Sequence, residues 1–260
     1  MLFYIALKFL TILPAPSSKN EGPEQVGRSL GFFPVVGLVI GLLLAGLYCL
    51  MRGIFPVPLV NAILITALVL VTGAHHLDGL SDTFDALVAG RTTEQRLSIM
   101  TDTRVGVFGI SAIVLTLLIK YASLTGIASV PTLIMVPVVS RWTMAGAILI
   151  FPAARKVGMG FAAKSGASWT GFVVASVVAL LVMTLFGGWI AGPILMAVLF
   201  SLMCCFGLLF RRLFGGLTGD CYGALVELGE VMALILISIL SFLRTSNPQL
   251  YLITAPLIGW

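Results

Sequence analysis

The chain has 260 residues, of which 59% are hydrophobic and only 10% charged, and its 15 Lys and Arg against 10 Asp and Glu give a formal net charge of +5. Soluble proteins carry roughly 45–50% apolar and about 25% charged residues, so a soluble enzyme, a disordered chain and a nucleic-acid-binding module are excluded. Mean hydropathy is +1.13, and the apolar runs do not alternate as β-barrel strands would. What remains is an all-α fold: one polytopic bundle of transmembrane helices over residues 1–260, in contact with the lipid bilayer and with no nucleic acid.

The first stretch, MLFYIALKFLTILPAPSS, lacks a basic leader region and is interrupted by Lys8. It reads as a retained interfacial or re-entrant segment rather than a signal peptide. A crossing helix needs about 20 apolar residues. Seven segments qualify, near 30–51, 57–74, 105–119, 127–151, 170–186, 190–210 and 223–243. The third and fifth are short and reach into their polar flanks. Within the first, Gly37, Gly41 and Ala45 recur every four residues, a spacing that lets helices approach closely. The final run, Leu250 to Trp260, is too short to span. The four cysteines form no CxxC pair and read as packing residues, with neither a disulfide framework nor a zinc site.

Seven crossings place residues 1–29, 75–104, 152–169 and 211–222 on one side. That side carries eleven Lys and Arg; the other carries Arg52, Lys120 and Arg244, and Arg141 falls inside a span. Basic residues gather in cytoplasmic loops, so the N-terminus and the long polar loop 75–104 are expected in the cytoplasm, at a cell's inner membrane.

The scarce acids are not scattered. Apart from Glu21 and Glu24 they fall into two groups: Asp78, Asp82, Asp85, Glu94 and Asp102, then Asp220, Glu227 and Glu230. The sidedness above puts both groups at one face. On a helix, Asp78, Asp82 and Asp85 lie within about 60° of one another. Three carboxylates on one stripe repel, so either one keeps its proton or a cation neutralises them. An oxygen-only donor set suits Mg²⁺ or Mn²⁺. The alternative is a solvated face paired with Arg91, Arg96 and Arg104. Helical projection places His75, not His76, on this stripe, and adjacent histidines without a third partner do not make a zinc site.

In GGLTGDCYGALVELGE, Asp220 either caps the last span or joins the acids, with Glu227 on the same face. The glycine-rich turn offers backbone amides to phosphate, although it is not a P-loop. Arg141 has two readings: an ion pair inside the bundle, or a bidentate phosphate contact. Asp102 and Arg104 open the third span and can join the same pocket.

These blocks resemble a known family. HLDGLSDTFDAL, RLSIMTDTRVGVFG and GGLTGDCYGALVELGE, with GRSLGFFPVVGLVIG and FLTILPAP upstream, are similar to the cobalamin synthase family, the adenosylcobinamide-GDP ribazoletransferases, from about Phe9 to Glu230. The resemblance implies an integral-membrane, Mg²⁺-dependent enzyme of cobalamin biosynthesis. It would join adenosylcobinamide-GDP to α-ribazole, or its 5′-phosphate, and release GMP. The family's HLDG motif falls on His76, Leu77, Asp78 and Gly79, so the resemblance selects His76 where projection selects His75; a turn at 75–79 would reconcile them. The later family positions fall on Asp82, Asp85, Thr218, Gly219, Asp220 and Glu227. Ala86 stands where relatives often have glycine.

Combined, the two readings assign Asp78, Asp82, Asp85 and Glu227 to Mg²⁺. They assign Asp82, Asp85 and His76 to catalysis, with Asp82 or Asp85 as proton acceptor. Arg104, Arg141, Asp102, Thr218, Gly219 and Asp220 are assigned to the substrates. The sequence leaves room for a homo-oligomer. The rival readings are an enzyme like the CDP-alcohol phosphotransferases of lipid synthesis, whose aspartates are spaced more widely, and a cation-coupled transporter. Transporters place their sites near the bilayer midplane and show repeats; these acids sit at one face and no repeat is visible.

Overall fold

The computed structural model describes residues 1–16, 22 and 24–246; the Leu250–Trp260 run lies outside them. In chain order the helices are α1 Leu2–Leu10, α2 Gln25–Arg28, α3 Phe33–Met51 (entered through a 3₁₀ turn, Leu30–Phe32), α4 Val57–Thr72, α5 His75–Ala89 and α6 Thr93–Ile99. Then come α7 Val107–Ile127, α8 Val130–Ile150, α9 Met159–Gly166, α10 Trp169–Gly187, α11 Ala191–Phe214 and α12 Gly219–Ser246. The described residues contain no strand, only isolated bridges at Arg52–Phe55 and Ala153–Leu217.

The protein is a polytopic membrane bundle. Six segments are long and apolar enough to cross: Leu30–Met51 and α7, α8, α10, α11 and α12. The pair α4 and α5 passes the same test together but is bent by 88°. We take α4 as the seventh crossing, because its 16 residues make about 24 Å of helix, and α5 as turned out of it onto the end of the bundle. Each of the seven expected spans therefore coincides with a helix. One boundary is corrected. The third span does not stop at 119 but runs to Ile127, so Lys120 is not a loop residue: it is 2% exposed inside the bundle.

Helix α8 is the axis, with 94% of its apolar window buried. It meets α3 through the expected small residues: a Cβ on Gly41 would stand 2.7 Å from Ile134 Cα, and one on Gly37 would collide with the Pro137 carbonyl. The outer helices show the opposite pattern. On α10, Ala175, Ala179 and Met183 are buried while Val173, Val177, Leu180 and Leu181 are exposed. In water such a stripe would drive aggregation; in lipid it is the solvated surface. Segment α1, of nine residues, is too short to span. It buries Ile5, Ala6, Leu7 and Leu10.

The four segments assigned by charge to one side do meet at one end of the bundle. Arg96 and Thr93 donate to the Leu213 carbonyl, Arg155 donates to the Leu97 carbonyl at 2.6 Å, and Ala154 N donates to the Leu217 carbonyl at 3.0 Å. Local chemistry sets the boundaries there. Thr92 and Gln95 form a capping box on α6. Between α4 and α5, Gly73 (φ +63°) and Ala74 (φ +58°) are both left-handed, which produces the sharp turn.

Candidate active site

Helix α5 brings its aspartates to the N-terminal ends of two crossing helices. Gly79 is the hinge of this arrangement. A Cβ there would lie 2.7 Å from the Asp220 carbonyl oxygen and 3.0 Å from its Cα, so only glycine lets α5 settle on the start of α12. Gly223 serves the same purpose a turn further along α12, 3.2 Å from His76 Cα by the same measure. Asp78, Asp82 and Asp220 thus share one rim, although 142 positions separate Asp78 from Asp220 in the sequence.

The three α5 aspartates are not equivalent. Asp78 is exposed and Asp82 half-buried, and neither forms a salt bridge or hydrogen bond with another side chain among the described residues. Asp82 sits among like charges: burial first, then Asp78, Asp220 and Asp85, push its carboxyl up to about 7. Asp85 is 7% exposed and has both oxygens engaged. It accepts from Gly106 N at 2.7 Å and from Gly109 N at 2.9 Å, closing the N-terminus of α7, where unpaired amides and the helix dipole favour an anion.

Thr218, rather than Asp220, caps α12. Its hydroxyl oxygen accepts from Cys221 N at 3.3 Å, and it can donate to Asp220 Oδ2 at 3.2 Å. This leaves the Asp220 carboxylate on the rim. Gly219 is exposed beside it. Asp102 and Arg104 lie on the loop that follows Met100, whose sulfur meets the Thr218 hydroxyl. There they pair with each other at 2.7 Å, and Arg104 holds the Asp102 carboxyl down at about 2. Arg155, to which sequence reasoning gave no site role, also borders this rim. The Pro152–Ala154 backbone is bridged to Leu217, and the guanidinium is near enough to act electrostatically on Asp220. Only the contact between two distant loops reveals it.

Three residues of the sequence-derived set, Glu227, Arg141 and His76, lie elsewhere. Glu227 accepts from Lys120 Nζ at 2.7 Å, and Glu230 accepts from the same nitrogen at 2.5 Å. Glu230 also pairs with Arg141, which is fully buried. The ion-pair reading of Arg141 is therefore the one the geometry displays. Lys120 is thirteen residues into α7, about 20 Å from its start, so this neutral four-charge group lies deep in the bundle. His76 is separated from the aspartate stripe too. Residues 75–79 are helical, so no turn reconciles the two histidines: His75 is exposed on the outer side, and His76 faces inward at 4% exposure. Its Nδ1 is buried without a partner.

Among the described residues, no three His, Cys, Asp or Glu side chains stand close enough to hold a metal in this conformation. The donor chemistry nevertheless fits a hard divalent ion: oxygen atoms only, on carboxylates that repel one another and lack a paired cation. Beside the rim is a cavity of about 320 Å³, its lining including Lys8, His75, His76, Gly219 and Tyr222.

The profile of the cobalamin-5-phosphate synthase family matches residues 2–238. Curated relatives carry the name adenosylcobinamide-GDP ribazoletransferase. One from Geotalea daltonii is 38% identical over 90% of this chain and 95% of its own. One from Roseiflexus sp. is 38% identical over 88% and 86%, and one from Pseudomonas putida is 40% identical over 88% and 95%. No solved structure matches.

Proposed function

Because the chain belongs to the cobalamin-5-phosphate synthase family, we propose that the rim formed by α5 and the start of α12 is where it acts as an adenosylcobinamide-GDP ribazoletransferase. The enzyme makes cobalamin from adenosylcobinamide-GDP and α-ribazole, or from α-ribazole 5′-phosphate to give the 5′-phosphorylated product. The observation that supports the placement is the Gly79–Asp220 contact, which lays the helix carrying Asp78 and Asp82 against the start of the one carrying Asp220.

In this reading a hydroxyl of the ribazole sugar attacks the phosphorus that bears the cobinamide. The new O–P bond forms as the bridging O–P bond to GMP breaks, and GMP departs with the electron pair. Asp82, whose carboxylate has no hydrogen-bond partner among the described residues, takes the hydroxyl proton. Asp78 and Asp220, with Asp82, would hold Mg²⁺. A bound Mg²⁺ supplies charge stabilisation on the phosphoryl oxygens. Asp85 acts through position: it fixes α5 to the start of α7. Arg155 reaches the non-bridging oxygens, the task that sequence reasoning gave to Arg104 and Arg141. Glu227 and Arg141 act through the bundle interior that supports α12. The rim faces the cytoplasm in this scheme, in keeping with the eleven basic residues on its side.

The test is GMP release by the full chain in detergent from adenosylcobinamide-GDP plus α-ribazole, with and without a chelator. Release that stops on chelation and returns with Mg²⁺ is expected. Undiminished release after removal of all divalent ions would refute the carboxylate site.

A further inference from the structure

The segment that joins α8 to α9 is held at both ends on the start of α12. At one end, Leu217 N donates to the Pro152 carbonyl at 2.8 Å, and Ala154 N donates to the Leu217 carbonyl at 3.0 Å. At the other, Gly160 lies so close to α12 that a Cβ on it would stand 2.9 Å from Gly219 N. Residues 155–159, Arg-Lys-Val-Gly-Met, therefore form a short bridge beside Asp220. Its two apolar side chains are not packed into the core: Val157 is 77% exposed and Met159 55%.

On the outer helices, exposed apolar side chains face lipid. These two have a different setting. The bridge leaves α8, the buried axis of the bundle, so it starts at the middle of the bundle's end and not at its lipid-facing perimeter. Its neighbours are polar: Lys156 is exposed between Arg155 and Val157, and Gly160 touches the residue next to Asp220. An apolar surface rimmed by polar groups, beside a reaction site, marks contact with a ligand or partner.

Resting on the reading above, we propose that Val157 and Met159 form the platform on which the corrin ring of adenosylcobinamide-GDP lies. The two substrates contain three flat groups: guanine, the base of α-ribazole and the corrin. Guanine is read through the donors and acceptors on its edge, and Val157, Gly158 and Met159 offer no strong hydrogen-bonding side chain. The base of α-ribazole is small and gains most from enclosure, whereas these side chains project. A projecting aliphatic pair suits a broad face laid across it, and the methyl-studded corrin is the one broad apolar face available. Distance agrees. Val157 is two residues past Arg155, within about 7 Å of its backbone, and Arg155 serves the phosphorus to which the cobinamide is bonded. The polar surroundings agree as well. Lys156 offers an ammonium to the carboxamide carbonyls at the ring's edge. Met159 also lines the cavity beside the rim, whose walls hold Phe9 and Met144 as well as Lys8 and His75. That mixture of apolar and donor groups matches a macrocycle with an apolar face and an amide edge.

The experiment compares the native full chain in detergent with the double variant Val157→Thr, Met159→Gln, which keeps the shape of both side chains and removes their apolar character. Binding of adenosylcobinamide alone, without phosphate or nucleotide, is followed by the visible absorption of the corrin. It should be about tenfold weaker in the variant, equivalent to about 1.4 kcal/mol. The KM for adenosylcobinamide-GDP should rise by a similar factor, while the KM for α-ribazole and the affinity for GDP stay at their native values. Equal binding of adenosylcobinamide by the two proteins, including binding by neither, would overturn the platform. So would a shift confined to α-ribazole or to GDP. A shift that arises only after reconstitution into phospholipid vesicles would also overturn it, by making the two side chains a lipid contact. If the double variant does not fold, Val157→Thr alone carries the same readouts, with an expected loss of about threefold. GMP release by the native chain is measured alongside. Its absence would sink the transferase reading, whereas unchanged corrinoid binding with GMP release intact sinks only the platform.

Discussion

Helix α12 carries two sets of carboxylates about 10–15 Å apart along its axis, and they are opposite in character. At its start, Asp220 joins Asp78 and Asp82 on a rim where negative charges meet with little to neutralise them. Two and three turns on, Glu227 and Glu230 are matched by Lys120 and Arg141 and sealed from solvent. A charge at the bilayer centre costs about 2.5–3.5 kcal/mol, so the deep set must be complete to be tolerated. The rim set is tolerated incomplete, because water reaches Asp78. An acid cluster left unbalanced where balancing is easy is the one built to receive a partner.

The comparison is broken most directly at the rim. Asp82→Asn removes a proton acceptor and a charge but nearly no volume. It should lower the rate of GMP release by about 10²–10⁴-fold while leaving the melting temperature in detergent within a few degrees of native. Equal losses of rate and of folded protein would move Asp82 from chemistry to structure. The deep group should answer the other way. Lys120→Met leaves two buried glutamates facing Arg141 alone and should destabilise the bundle by about 3–5 kcal/mol. The double variant Lys120→Met with Glu227→Gln restores neutrality and should recover much of that loss. If the double variant is no more stable than the single, the four groups do not act as one unit.

How much of this is legible in the sequence follows the same division. The spans are, because hydrocarbon demands long apolar helices and the apolar runs report them; α3, α4, α7, α8, α10, α11 and α12 fall where the runs are. The grouping of the basic loops at one end of the bundle is also legible, since their charges set them apart. Lys120 is misplaced for a specific reason. An isolated Lys at the end of an apolar run reads as a loop charge unless its partners are known, and Glu230 lies 110 residues away. Arg155 escapes notice because its approach to Asp220 depends on backbone bonds between residues 152–154 and Leu217, which leave no periodic trace. The partition of the α5 stripe is hidden too. Helical spacing says that Asp78, Asp82 and Asp85 share a face, but not that two amides of α7 occupy the third.

Asp85 therefore marks the boundary between the two behaviours, being a rim acid that is already satisfied. Asp85→Ala should cost about 1–3 kcal/mol of stability, the penalty for leaving the buried Gly109 amide without an acceptor. Activity should fall with it, because α5 loses its tie to α7. Gly109→Ala sharpens the point from the other partner, since a Cβ there would stand 3.0 Å from the Ser81 carbonyl and collide with the Ser81 and Asp85 side chains. If Asp85→Ala proved as stable as native but catalytically dead, Asp85 would belong with Asp82 rather than with the supports.

The smallest effect concerns the turn that sends α5 away from α4. Ala74 sits at φ +58°, where an L side chain pays roughly 1–2 kcal/mol, and the strain is confined to one residue before His75. Glycine relieves it in the folded state but gains freedom in the unfolded one. The two effects oppose, so Ala74→Gly should raise stability by no more than about 1 kcal/mol and leave GMP release intact. A branched residue has no such escape: Ala74→Val should destabilise by about 1–3 kcal/mol and reduce activity with it, because α5 can keep its 88° bend only if residue 74 stays left-handed. Retained activity in Ala74→Val at native stability would mean that the rim assembles without that turn, and that the contact of Gly79 with α12 is sufficient to place the aspartates.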